Sequence, residues 1–295
     1  MTPDEWREQG RTFQHRGHPI FYRDDGRGDA LLLIHGFPTA SYDWCKVWDR
    51  LRARHRLIAP DMIGFGFSAK PPDYEYTIVD QATLHETLLG ELGIERVHVL
   101  AHDYGVSVAQ ELLARDLERT RAGAPGVRLR SVCLLNGGLF PETHRAQPVQ
   151  ELLAGPMGKQ VARMMNAESF AQGFATVFGP RTQPSAAELH DFWKLLEFND
   201  GPGVTHLLIG YMAERRQQRE RWVGALQTTT VPLRLVNGPE DPVSGGHMVA
   251  RYRELVPNPD VVVLDGIGHY PQVEAPDGVL DAWFAFVERV VAAGG

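Results

Sequence analysis

Residues 97–113 read VHVLAHDYGVSVAQELL, and this stretch decides the fold. The mostly apolar run Val97–Ala101, interrupted only by His98, has the character of a strand buried on both faces. Val108, Ala109, Leu112 and Leu113 then recur at helical spacing over Val106–Leu117. Between the two lies Ala101-His102-Asp103-Tyr104-Gly105, with a small residue two positions either side of Asp103. Small flanks permit a sharp strand-to-helix turn that presents the central side chain and leaves the next backbone N–H pointing into the same space. A plain N-cap role for Asp103 is the structural alternative. Gly105-Val106-Ser107-Val108-Ala109 also fits a G-x-S-x-A pattern, but Ser107 falls a turn into the helix and should not be presented.

Working outward, strand-like blocks occur at Thr12–Arg16, Ile20–Arg23, Ala30–Ile34, Arg56–Ala59 and Leu129–Leu135, with a helical face along Thr77–Leu92. Strands alternating with helices imply an α/β protein with a mostly parallel sheet covered on both faces. The alternation stops near Gly138. From Leu139 to Leu226 the pattern is helical, with segments expected at Gln150–Leu153, Gln160–Met165, Ser169–Val177, Ala186–Leu196 and Val204–Arg221. Val231–Val236, Val261–Leu264 and a last helix, Asp277–Val291, then resume the alternation. We therefore expect one core, residues 1–138 and 227–295, interrupted by a helical cap, residues 139–226.

Composition excludes several classes. With 295 residues, 43% hydrophobic and 23% charged, the chain has ordinary globular proportions. Its net charge of −7 argues against a nucleic-acid partner, which would call for a basic surface. No apolar run suits a membrane span, and the polar start MTPDEWREQGR has no signal-peptide core, so a cytoplasmic protein is expected. Cys45 and Cys133 make no disulfide framework. No His/Cys/carboxylate cluster has metal-ligand spacing and no dinucleotide fingerprint is present, so neither metal nor cofactor is expected. Oligomeric state is not legible.

Two more strand ends carry chemistry. Asn237-Gly238-Pro239-Glu240-Asp241-Pro242 follows Val231–Val236, and Gly266-Ile267-Gly268-His269-Tyr270-Pro271 follows Val261–Leu264. Asp103, Asp241 and His269 thus occur in the order nucleophile, acid, histidine, each beyond the carboxyl end of a strand, where sites in such sheets gather. His35-Gly36-Phe37-Pro38 follows Ala30–Ile34. Its Phe37 N–H, opposite that of Tyr104, can form an oxyanion hole.

These motifs resemble the α/β-hydrolase family, in its epoxide hydrolase and haloalkane dehalogenase branch. The resemblance is carried by HGFPTASYDW (35–44), DMIGFGFSAKP (61–71), AHDYG (101–105), NGPEDPV (237–243) and GHYPQVEAP (268–276). Within the branch, LLNGGLFPETHR (134–145), VFGPRTQPS (177–185) and RERWVGAL (219–226) are similar to the mesoderm-specific transcript group and its bacterial relatives. The resemblance implies an aspartate nucleophile that forms an alkyl–enzyme ester, with water and a small apolar organic molecule as the reaction partners. An epoxide is the leading substrate, an alkyl halide the alternative, and a ligand sensor or scaffold with an idle site the reading outside enzymes. In epoxide hydrolases two cap tyrosines donate protons; Tyr211 matches the second, and His144, His190 or His206 could substitute for the first. Dehalogenases use Trp or Asn N–H donors, and Tyr104 and Phe37 supply none, although Trp193 and Trp222 lie in the cap. Asp61 and Ser68 read as loop supports, and Cys133 as a small buried hydrophobe. The run Arg215, Arg216, Arg219 and Arg221 reads as a solvated helix face.

Overall fold

The computed structural model of the protein describes residues 1–294. Eight strands form one sheet: β1 (Arg11–His15), β2 (His18–Gly26), β3 (Ala30–Ile34), β4 (Arg56–Pro60), β5 (Arg96–Ala101), β6 (Arg128–Leu134), β7 (Leu233–Asn237) and β8 (Val261–Val263). Their order is β1-β2-β4-β3-β5-β6-β7-β8. β1 and β2 form a hairpin, and β2 runs antiparallel to β4. Every other pairing is parallel. Parallel neighbours require crossovers, and the helices that make them cover both faces.

Because successive strand residues point to opposite faces, β3 feeds two cores at once. Leu32 and Ile34 join Val97, Val99 and Ala101 of β5 beneath the helices Ile78–Glu91 and Tyr104–Ala122. Leu31 and Leu33 join Leu100, Cys133 and the helix Pro276–Ala292 on the other side. Cys133 is fully buried there, packed as a small apolar residue. Helix ends follow their local chemistry. The Thr77 hydroxyl accepts from the Asp80 N–H at the start of Ile78–Glu91, and Gly123 closes Tyr104–Ala122 with φ of +60°.

Between β6 and β7 the chain is helical throughout, in seven α-helices: Pro148–Ala154, Gly158–Met164, Ala167–Ala175, Ala186–Glu197, Pro202–Leu208, Tyr211–Gln217 and Arg219–Thr228. The single helix expected over Val204–Arg221 is broken at Ile209–Gly210 and at Gln218. Gly210 disfavours a continuous helix, and all three short helices contribute to one core cluster through Val204, Leu208, Tyr211, Trp222 and Leu226. The arginine run is corrected with it. Arg216 is exposed as expected, but Arg215 is only 2% exposed. Arg219 pairs with Glu142, and Arg221 with Glu111 and Glu118.

Glu111 joins this segment to the core. It is buried on the helix Tyr104–Ala122, where its carboxylate accepts from Arg115 at 2.9 Å, Arg221 at 2.7 Å and the Trp222 indole N–H at 2.9 Å. Without Glu111 the buried Trp222 N–H has no acceptor, whereas Arg115 keeps Glu86 and Arg221 keeps Glu118. Glu111→Ala should therefore lower unfolding free energy by about 1–3 kcal/mol. Chemical denaturation would measure it, and a loss comparable to an exposed ion pair would mean that Trp222 finds another acceptor.

Candidate active site

Asp103 is where β5 becomes helix. Its backbone sits at φ +48° and ψ −111°, a region that non-glycine residues adopt only when the surroundings impose it. The imposing contacts are close. A Cβ on Gly105 would lie 2.5 Å from the Ile34 carbonyl oxygen, one on Gly36 would lie 2.8 Å from the Asp103 Cβ, and one on Gly137 would lie 2.8 Å from the Asp103 carbonyl oxygen. The Asp103 N–H donates to the Asn136 carbonyl at 2.7 Å. Thus the ends of three adjacent strands hold the turn.

The expected residues converge. His269 Nδ1–H donates to Asp241 Oδ2 at 2.7 Å, and its Nε2 lies 3.4 Å from Asp103 Oδ2. The other Asp103 oxygen, Oδ1, accepts the Phe37 N–H at 2.8 Å. The two oxygens of one carboxylate are therefore distinguished, one facing the imidazole and one held by a backbone donor. The loop carrying Phe37 is pinned in turn: the Phe37–Pro38 bond is cis, and buried His35 accepts the Met62 N–H at 3.0 Å. Asp61 and Ser68 support the next loop, Asp61 accepting from the Ser41 and Phe67 N–H groups and Ser68 donating to the Asp61 carbonyl.

Electrostatics bind the three groups into a unit. Burial alone would lower the His269 pKa, but the Asp241 and Asp103 carboxylates outweigh it and push it up from 6.5 to about 10. Burial would raise both carboxylates, yet His269 holds Asp241 down at about 2. His269 and the Arg215 guanidinium hold Asp103 well below the usual carboxylate range.

Several contributors carried no flag in the sequence. Asn136 Nδ2 and Ser244 Oγ donate to Asp241 Oδ2 at 2.9 and 2.7 Å. Asn136 was findable, because it too stands just past a strand end. His102 Nε2–H donates to the His269 carbonyl at 2.7 Å, and its ring packs on Tyr270. Buried Arg215 donates from Nε to Ser107 Oγ at 2.7 Å and from Nη2 to the Asp103 carbonyl at 3.2 Å. Ser107 is buried and tied to that guanidinium, as its place one turn into the helix implies.

A cavity of about 480 Å³ opens beside Asp103 and His269. Its walls are mostly apolar, including Leu153, Val161, Phe170, Phe174 and Val243, with Gln147 and Gln150 among the few polar groups. Tyr211 is buried with its ring against those of Phe37 and Tyr104, and its hydroxyl oxygen accepts from Gln150 Nε2 at 3.1 Å. Gln150 lines the cavity; Tyr211 is not among the described residues that do. Of the histidines, His144 is close enough to feel the charges of Arg215, Asp103 and His269, whereas His190 is exposed on the helix Ala186–Glu197 and His206 feels Lys159 and Arg163 instead. Trp222 gives its N–H to Glu111, and Trp193 packs on Phe170.

A model of the "Alpha/beta hydrolase family" matches residues 31–282. The chain belongs to that family. This alpha/beta hydrolase is 44% identical to the human mesoderm-specific transcript homolog protein over 293 residues, covering 96% of this chain and 87% of that one. Its fold is similar to that of the epoxide hydrolase CorEH, with a TM-score of 0.76 at 20% identity, covering 95% of this chain and 99% of the other. It is equally similar to the haloalkane dehalogenase DbeA of Bradyrhizobium elkani, with a TM-score of 0.77 at 23% identity, covering 96% and 99%. Among the described residues, no helix of the hydrolase is long and apolar enough to cross a membrane.

The pKa directions give a stability signature. A raised histidine stabilises the fold fully below its ordinary 6.5, and the effect is lost as pH climbs through about 10. A depressed carboxylate such as Asp241 stabilises above its ordinary 3.8, and the effect is lost as pH falls toward about 2. The Tm difference between wild type and His269→Gln should therefore be largest between about pH 4 and 6.5 and shrink steadily toward pH 10. A difference constant over pH 6–10 would show that the imidazole is not held as a cation.

Proposed function

We propose that this alpha/beta hydrolase opens a small apolar epoxide through a covalent ester on Asp103, with no cofactor and with residues 139–226 acting as a cap over the site. The observation that carries the reading is the unequal treatment of the two Asp103 oxygens. Oδ2, the oxygen that faces His269 and has no backbone donor, attacks the ring carbon, and the carbon–oxygen bond of the epoxide breaks with its electron pair moving to the oxygen. Oδ1 stays in the grip of the Phe37 N–H, where it becomes the ester carbonyl. Tyr211, behind the cavity wall and bonded to the lining residue Gln150, gives its hydroxyl proton to the ring oxygen when the bound epoxide reaches past that wall. Burial keeps that hydroxyl protonated well above its ordinary pKa, and the Gln150 N–H bonded to its oxygen stabilises the charge left behind.

Esterification removes the Asp103 charge, and with it one of the two carboxylates that keep His269 protonated. The proton His269 then gives up restores the tyrosine. Neutral His269, held by Asp241, takes a proton from water as the water oxygen attacks Cγ of the ester. Negative charge develops on Oδ1 and is met by the Phe37 and Tyr104 N–H groups. Collapse breaks the Cγ–Oδ2 bond of the ester, the departing diol oxygen takes the proton back from His269, and the second water proton, left on the Asp103 carboxyl, passes to His269 and restores the starting charges. One water is consumed, and its oxygen remains in Asp103.

The lining favours an epoxide over a halide. A departing halide needs N–H donors facing the bound carbon, and the indole N–H of Trp222 is committed to Glu111. Tyr104 and Phe37 stand where such donors would be expected, and neither side chain offers an N–H. Attack on an ordinary carboxylic ester would give an anhydride, which disfavours a plain esterase.

Two measurements test this. His269→Gln, incubated with apolar epoxides and alkyl halides, should accumulate an intact adduct on the Asp103 peptide with epoxides, and Asp103→Asn should accumulate none. In 18O water, a single turnover of wild type should leave the label in Asp103. An adduct from halides alone would move the assignment to dehalogenation; none from either panel, with the fold intact, would favour a ligand-binding role.

A further inference from the structure

Arg215 is a buried cation that the chemistry above does not use. It sits on the helix Tyr211–Gln217, between β6 and β7 in the chain, yet its side chain ends inside the core. Nε donates to Ser107 Oγ at 2.7 Å, the guanidinium lies 4.4 Å from the centre of the Tyr211 ring, and Nη1 has no acceptor. Burying a guanidinium without a carboxylate partner is costly, so its one remaining contact matters: Nη2 donates to the Asp103 carbonyl at 3.2 Å.

That carbonyl belongs to the peptide group joining Asp103 to Tyr104. The group is planar and trans, so its C=O and N–H point in opposite directions. Whatever fixes the Asp103 carbonyl therefore fixes the direction of the Tyr104 N–H. A cation on the oxygen also draws electron density from the amide and makes its N–H a stronger donor. Local backbone preference does not hold this plane, because Asp103 lies at φ +48° and ψ −111°. The Val106 N–H, at 3.1 Å, is a second donor to the same oxygen and carries no formal charge.

We propose that Arg215 is a positioning residue for the oxyanion hole: it orients and polarises the Asp103–Tyr104 peptide so that the Tyr104 N–H meets the charge that develops on Asp103 Oδ1. This rests on the ester mechanism proposed above. The hole works only in the second half of that reaction, since the first half places no new charge on Oδ1. Loss of Arg215 should thus slow ester hydrolysis far more than ester formation. Deleting a whole oxyanion donor costs about 10²–10³ in rate; misdirecting one while Phe37 remains should cost roughly tenfold or more.

The experiment follows the adduct in the full-length chain by rapid quench and intact mass, using an epoxide substrate. Arg215→Lys and Arg215→Ala should show a burst of Asp103 ester that wild type lacks, with the hydrolysis rate down tenfold or more and the alkylation rate within about threefold. Added guanidinium at non-denaturing concentration should partly restore hydrolysis in Arg215→Ala. Glu214→Gln is the control for helix packing. Glu214 anchors the same helix by accepting the Ile78 and Val79 N–H groups at 2.7 and 3.2 Å, and its loss should produce no burst. If the Arg215 variants do not fold, Ser107→Ala, which frees Nε, should show the same selective slowing at smaller amplitude. Equal slowing of both steps, or a burst in Glu214→Gln as large as in the Arg215 variants, would overturn the assignment and leave Arg215 a structural residue. Absence of adduct even in His269→Gln would overturn the ester mechanism itself, whereas adduct in His269→Gln without a burst in the Arg215 or Ser107 variants would remove only the role given to Arg215.

Discussion

The structure depends on keeping one carboxylate ionised in a buried, strained position. Asp103 has an unfavourable backbone geometry and almost no contact with solvent. Two conditions make this tolerable. Steric room comes from Gly36, Gly105 and Gly137, which let three strand ends close around the turn. Compensating charge comes from His269 on one side and Arg215 on the other. Neither condition can be met by local sequence alone. Gly105 opens the helix beside Asp103, but Gly36 and Gly137 follow two other strands, and the two cations come from the far end of the chain and from the long helical segment. The site is therefore a product of the whole topology, and its strain is held by an otherwise conventional sheet.

The legible part of the molecule was the part governed by short-range rules. The short apolar stretches Ala30–Ile34 and Val97–Ala101 have the pattern of strands buried on both faces, and the small residues around Asp103 suit a tight turn. Asp241 and His269 were visible because each stands just past a strand, where parallel sheets expose their loop ends. Asn136 obeys the same rule and could have been read by it. Arg215 could not. In sequence it belongs to a run of charges indistinguishable from a wet helix face, and only its tertiary contacts with Ser107 and the Asp103 carbonyl mark it as buried. The break at Gly210 divides a stretch whose periodicity looked continuous, since an isolated glycine is a weak signal and tertiary contacts decide whether the helix yields.

Electrostatics bear on the order of events proposed for the site. Two carboxylates flank one imidazole and together raise its pKa. In the proposed mechanism, loss of the Asp103 charge on esterification removes one of them, so that His269 becomes a better base only once a substrate is attached.

The helical segment has two differently held halves. Its later helices are fastened to the core through Glu111, Glu214 and Arg215, by hydrogen-bonded charges that tolerate little change. Its earlier helices supply Val149, Leu152, Leu153, Val161, Met164 and Phe170 to the cavity wall, through apolar surfaces that are interchangeable at similar volume. Val149, Leu152 and Met164 stand well exposed at the rim, Met164 at 77%. Changes of side chain along the earlier half should therefore reshape the cavity while the contacts around Asp103 stay in place. The shape of the pocket and the alignment of its charged groups are thus carried by separate parts of one segment.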